Sequence, residues 1–157
     1  MLSPEELTFV ACQTTSVDIV PSIRLEGVGM LYGDVPTLRP QIRCTVPLWL
    51  ASTLRQSRHC RILAPAWLHP NHLEACLEEE RAKPEEFCSG LPTRYLEIFH
   101  QLQRIAREDL QPDFYKLQQL IQAIKEVRWQ KILYGLQSLD GSPLFVPILF
   151  LTHVCIL

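Results

Sequence analysis

Between Pro92 and Leu139 apolar side chains return every three or four residues, and this periodicity commits the second half of the chain to packed helices. Tyr95, Ile98, Phe99, Leu102, Ile105 and Ala106 form one stripe, which predicts a helix over 92–109. Phe114, Leu117, Leu120, Ile121, Ile124, Val127 and Ile132 form a second, which predicts a helix over 113–139, about 40 Å long at 1.5 Å per residue. A helix of that length carries more apolar face than one short neighbour covers, so part of it is expected to meet another helix or another chain. The interface candidates on these stripes are Leu102, Ile105, Leu117, Ile121 and Ile124.

Upstream the texture is different. Ser3-Pro4-Glu5-Glu6 reads as a capping box with proline at the first helical position, which predicts a short helix to about Gln13. From Val17 to Val46, "VDIVPSI", "IRLEGVGMLYGD" and "PQIRCTV" carry β-branched residues between Gly and Pro breaks and predict three short strands. The last of these would set Ile42, Cys44 and Val46 on one face against Arg43 and Thr45. Gly27, Gly29 and Gly33 are read as turns, because no helix begins after them as a dinucleotide fingerprint requires. Pro47 then opens a helix to about Ser57, Pro65 and Pro70 fence a connector around Trp67, and a helix runs from Asn71 to about Lys83 until Pro84 stops it. The expected fold is α+β and mostly α: a small β-rich domain over residues 1–62, a helical domain over 63–140, and a tail over 141–157.

Composition narrows the function. The chain is 47% hydrophobic and 20% charged, which is globular, and its formal net charge of −2 gives no global field for a polyanion. The start lacks a secretory signal, and the six cysteines stand singly, which fits buried thiols better than a disulfide framework. Arg55, Arg58 and Arg61 with His59 form a cationic cluster that could meet phosphates or a polar protein partner. Cys60, His69, His72 and Cys76 hold the atom types zinc takes, but their spacing matches no paired-ligand hairpin, so no metal is expected. The acidic run "EACLEEERAKPEE" reads as a solvated face, and no GxSxG, phosphate loop or HExxH occurs, so no catalytic residues and no cofactor are expected. The last fifteen residues are almost wholly apolar. At about 20 residues for a bilayer span they are too short, Pro147 interrupts them, and without cationic residues a peripheral membrane role is disfavoured.

The stretch "VPLWLASTLRQSRHCRILAPAWLHPNHLEACLEEER" resembles the segment that marks the second Psf-type subunits of the GINS complex: VPLWLA, a basic and Gln-containing run, CR, two aliphatics, a proline and a tryptophan. "VDIVPSIRLEGVGMLYGDVPTLRP" before it and "LPTRYLEIFHQLQRIAREDLQPDFYKLQQLIQAIKEVRWQKILYGL" after it extend the likeness over roughly residues 7–139. The resemblance implies a non-enzymatic subunit of a four-subunit nuclear complex. Such a complex would join the MCM ring and a Cdc-type accessory factor in the replicative helicase, reaching DNA only through the assembly. Within that frame Pro47, Trp49, Pro65 and Trp67 are expected to fix the junction between the small sheet and the helices. The family continues past the long helix with further helices, whereas Asp140-Gly141 here leads into the apolar tail. That departure reads as a truncated or alternatively spliced form whose Tyr95–Ala106 and Phe114–Ile132 stripes would be left underpacked.

Overall fold

In a computed structural model, the protein is described over residues 4–27, 29, 35–110 and 113–137. The capping serine Ser3, the Gly33 turn and everything expected of the 141–157 tail lie outside these residues. The order is α1 (Pro4–Thr14), β1 (Ser16–Pro21), β2 (Cys44–Pro47), α2 (Leu48–Gln56), β3 (Cys60–Ile62), a 3-10 turn at Ala66–Leu68, α3 (Pro70–Ala82), α4 (Tyr95–Ala106) and α5 (Phe114–Gln137). The chain divides into two compact units, one of residues 1–65 with 96–112, the other of 66–95 with 113 onward.

The first unit is built on a three-stranded antiparallel sheet of order β2-β1-β3. Val17, Ile19 and Pro21 alternate inward along β1, as a strand with one covered face requires. Val17 pairs with Val46 and Ile19 with Ile62, and α1 and α2 pack on the same unit. Pro47 ends β2 and precedes the first helical residue of α2, where its fixed φ of −58° and missing N–H cost nothing.

Of the strand expected over 23–34, residues 28 and 30–34 lie outside the described residues, and in the remainder Leu25 forms only an isolated bridge with Leu38. The third strand is instead Cys60–Ile62, inside the cationic cluster, with Cys60 and Ile62 buried and Arg61 outward. Three residues are too few for alternation to register in the sequence. Ile42 precedes β2 and is 54% exposed, so it does not share the inner face with Val46.

In the second unit α3 lies along α5. Leu73, Cys76 and Leu77 of α3 and Leu117, Ile121 and Ile124 of α5 are all buried. The stripes are therefore packed within this chain over most of their length, contrary to the expected deficit; Ile105, Leu120 and Val127 are half-buried, and the largest exposed apolar side chains of α5 are Tyr115, Trp129, Tyr134 and Leu136.

Candidate protein interface

Each unit has its own ion cluster, partly buried in the first and buried in the second. In the first, α2 delivers Arg55 to the turn after α4, where its Nε donates to Asp109 Oδ2 at 2.8 Å and its Nη2 to Glu108 Oε2 at 3.1 Å. The backbone N–H of Ile62 donates to the same Asp109 oxygen at 3.1 Å, so one carboxylate ties α2, β3 and the end of α4 together. Burial lowers the Arg55 affinity for its proton, but the Asp109 and Glu108 carboxylates more than offset it and hold the guanidinium charged.

In the second unit Glu80 of α3 is buried at helical spacing from Leu73, Cys76 and Leu77. Its Oε1 accepts from Arg128 Nε at 2.6 Å and from the Cys88 backbone N–H at 3.0 Å, and its Oε2 accepts from Lys131 Nζ. The cations then reach on: Arg128 Nη2 donates to Cys88 O at 3.0 Å and Lys131 Nζ to Glu86 O at 2.7 Å. Arg128 also stands over the rings of Phe87 at 5.4 Å and Tyr95 at 5.1 Å. Burial pushes the Glu80 carboxyl up, and the bonds from Lys131, Arg128 and Cys88 outweigh it, leaving it below the usual carboxylate value. The cluster pins the loop after α3 to α5.

What α5 leaves uncovered is a second, outer stripe. Tyr115 is 65% exposed and Trp129 42% exposed, seven and fourteen residues apart from the intervening Gln122 and from each other, so both fall on the face opposite Leu117, Ile121 and Ile124. Gln118, Gln122 and Glu126 fill the stripe between them, and Leu136 continues it at 50% exposure. A groove of about 350 Å³ follows the lower half, lined by Tyr95, Gln122, Lys125, Arg128, Trp129 and Ile132 among others. Aromatic ends, an amide-rich middle and few charges are the composition of a helix face that meets another protein.

Comparison with known proteins places these features. Residues 3–63 match the family described as PSF2 N-terminal domain, and residues 67–153 match the family described as GINS complex protein helical bundle domain. The DNA replication complex GINS protein PSF2 of Debaryomyces hansenii is 34% identical over 141 residues, covering 90% of this chain and 68% of the relative. That of Schizosaccharomyces pombe is 32% identical over 138 residues, covering 88% and 73%. This chain belongs to the PSF2 family of GINS proteins. The helical match reaches residue 153 and so includes much of the segment 141–157 expected to be a tail.

Within this PSF2-family chain the residues singled out from the sequence are placed as follows. Leu102, Leu117, Ile121 and Ile124 are each at most 3% exposed and Ile105 is half-buried, so the first four are internal packing and not an available interface. The reason is physical: a stripe at helical spacing is equally satisfied by a neighbour in the same chain. Arg55 is consumed by Asp109, Arg61 is exposed with its Nε 3.9 Å from Asp109 Oδ1, and Arg58 is exposed, so the cationic cluster does not act as one patch. Trp49 in the first unit and Trp67 in the second are half-buried, as are Pro47 and Pro65. Cys60 sits in β3 with its Sγ toward Ala51 O, while Cys76 Sγ lies 3.6 Å from His72 Nδ1 on α3, so these thiols belong to different units. Burial raises the Cys60 thiol to about 11, and burial with the neighbouring Cys88 raises Cys76 to about 12. Both therefore stay protonated and unreactive.

Sequence reasoning missed Glu80 and Arg128, reading the first as part of a solvated acidic face. The signal was present. Glu80 follows Cys76 by four and Leu77 by three, and Arg128 follows Ile124 by four and Ile121 by seven, so both charges stand at core positions of facing helices.

Proposed function

We propose that this chain is a non-catalytic structural subunit of a GINS complex, holding three sister subunits together through the outer stripe of α5. The observation that carries the reading is the Tyr115-to-Leu136 stripe, uncovered in a chain whose relatives are named as components of a DNA replication complex. Exposed aromatic ends separated by amides, with few titratable groups, fit a protein contact better than an active site. The two ion clusters support the same role, since each fixes the backbone of its unit and presents a rigid surface for docking.

In the cell this subunit acts in the nucleus, within an assembly that joins the MCM ring and a Cdc-type accessory factor as the replicative helicase, and it meets DNA only through that assembly. Residues 1–62 and 63–140 are two sequence modules of this subunit, a division supported by the family matches that meet between residues 63 and 67. The rival reading, a small nucleic-acid-binding module built on Arg55, Arg58 and Arg61, is weakened by the capture of Arg55 in the Asp109 cluster.

Co-expression with the three other subunits, followed by size-exclusion chromatography, tests the proposal. The expected result is a stoichiometric four-subunit peak that Trp129→Ala with Tyr115→Ala depletes. Elution of the parent chain alone, away from folded sister subunits, would overturn it.

A further inference from the structure

Two described non-glycine residues hold left-handed backbone, Gln41 at φ 64° and Arg58 at φ 59°, a conformation in which a β-carbon is disfavoured. Both stand at the same end of the sheet. Ser22 N–H donates to His59 O at 2.8 Å, the Ser22 hydroxyl donates to the same oxygen at 2.9 Å, and Gln41 N–H donates to Pro21 O at 2.9 Å. Just beyond, Leu25 and Leu38 exchange backbone bonds of 3.1 and 2.8 Å in an antiparallel bridge, a register that sets Arg24 opposite Arg39. Like charges directly opposite each other destabilise such a pair. Other arginines of this unit are neutralised: Arg43 by Asp18, Arg55 by Asp109 and Glu108. Arg24, Arg39 and Arg58 are exposed and have no ion pair among the described residues. The acid of the same described segment is Glu26, also exposed. Next to Arg39 stands an exposed aliphatic residue, Ile42 at 54%, its N–H bonded to Arg39 O at 3.2 Å.

We propose that this end of the sheet docks an acidic, amphipathic segment of a partner protein, with Arg24, Arg39 and Arg58 taking carboxylates and Ile42 taking an apolar side chain. Guanidinium forks on backbone-fixed positions suit bidentate carboxylate contacts. The exposed Ile42 favours a peptide over a phosphate backbone, which gains nothing from it, and a chain of formal net charge −2 has no long-range pull on nucleic acid. The site lies in the first unit and does not depend on the subunit reading above.

Fluorescence anisotropy of the full chain with a labelled peptide of alternating glutamate and leucine tests it, with labelled oligothymidylate as the second probe. The peptide is expected to bind, weakening as salt rises. Arg58→Gly, which removes the charge and relieves the left-handed strain, should weaken it about tenfold without lowering the melting temperature. Arg24→Gln should act alike, and Ile42→Ser should weaken the peptide but not affect any residual oligonucleotide binding. Absence of peptide binding, peptide binding indifferent to Arg58→Gly and Arg24→Gln, or oligothymidylate binding as tight as the peptide's would each overturn the proposal.

Discussion

Replacing Glu80 by Gln changes one oxygen to an amide and leaves two cations without their counter-charge in a buried pocket. Arg128 is 3% exposed at its side chain, Lys131 8% and Glu80 0%, so water cannot stand in for the lost carboxylate. Breaking a buried pair from one side costs about 3–5 kcal/mol, because the uncompensated partner stays desolvated. For a chain of this length each kcal/mol lowers the melting temperature by about 2–4 °C, so the fall should be roughly 6–20 °C. Calorimetry of the parent and the Glu80→Gln chain measures it. The same reasoning predicts that Glu80→Leu with Arg128→Met and Lys131→Met recovers most of the loss, since no charge is then buried at all. A Glu80→Gln chain melting within about 2 °C of the parent would refute the account, as the cluster would then be solvated and worth little.

Acid should unfold the second unit early. A carboxyl held below its ordinary value stabilises the fold above the unfolded value and loses that contribution as pH falls through the folded one. Stability followed by denaturant titration should therefore drop below about pH 4.3, and Glu80→Gln should flatten that limb. In the first unit, Arg55→Met strands Asp109 with only the Ile62 N–H and the distant Arg61, and should cost about 1.5–3 kcal/mol in urea unfolding. Trp129→Ala removes a side chain 42% exposed, so urea unfolding should shift by less than about 1 kcal/mol while co-elution with sister subunits falls. Equal losses of stability and co-elution would assign Trp129 to the core.

The helices were legible because their signals are local. Apolar recurrence over 95–106 and 114–132 and the prolines at 47 and 70 locate α4, α5, α2 and α3 to within a few residues. The sheet was half legible. β1 and β2 carry alternation, but β3 is defined by its pairing with β1 forty residues away, and its three residues sit among arginines that draw the eye to charge. Residues 23–34 look strand-like for the opposite reason, having β-branched content and no described partner beyond the Leu25–Leu38 bridge. The candidate site was least legible. Periodicity separates the two faces of a helix but does not say which neighbour covers the apolar one, so Leu117, Ile121 and Ile124 were read as interface while Tyr115 and Trp129 went unremarked. Arg55 poses the same difficulty: its partner Asp109 lies 54 positions away, where no local pattern can connect them.

That separation bears on how the protein is made. The first unit takes residues 1–65 and then 96–112, while the second begins in between. At about 5–20 residues per second a ribosome needs roughly 3–11 s to travel from Arg55 to Asp109. For that interval the emerging sheet, α1 and α2 wait without α4, and neither unit can be completed by a contiguous piece of nascent chain. A stop codon or a protease cut between residues 65 and 96 would therefore release an unfinished first unit in which Arg55 and the Ile62 N–H lack Asp109 and Ser52 lacks Gln101, a substrate for chaperones and degradation instead of a free module.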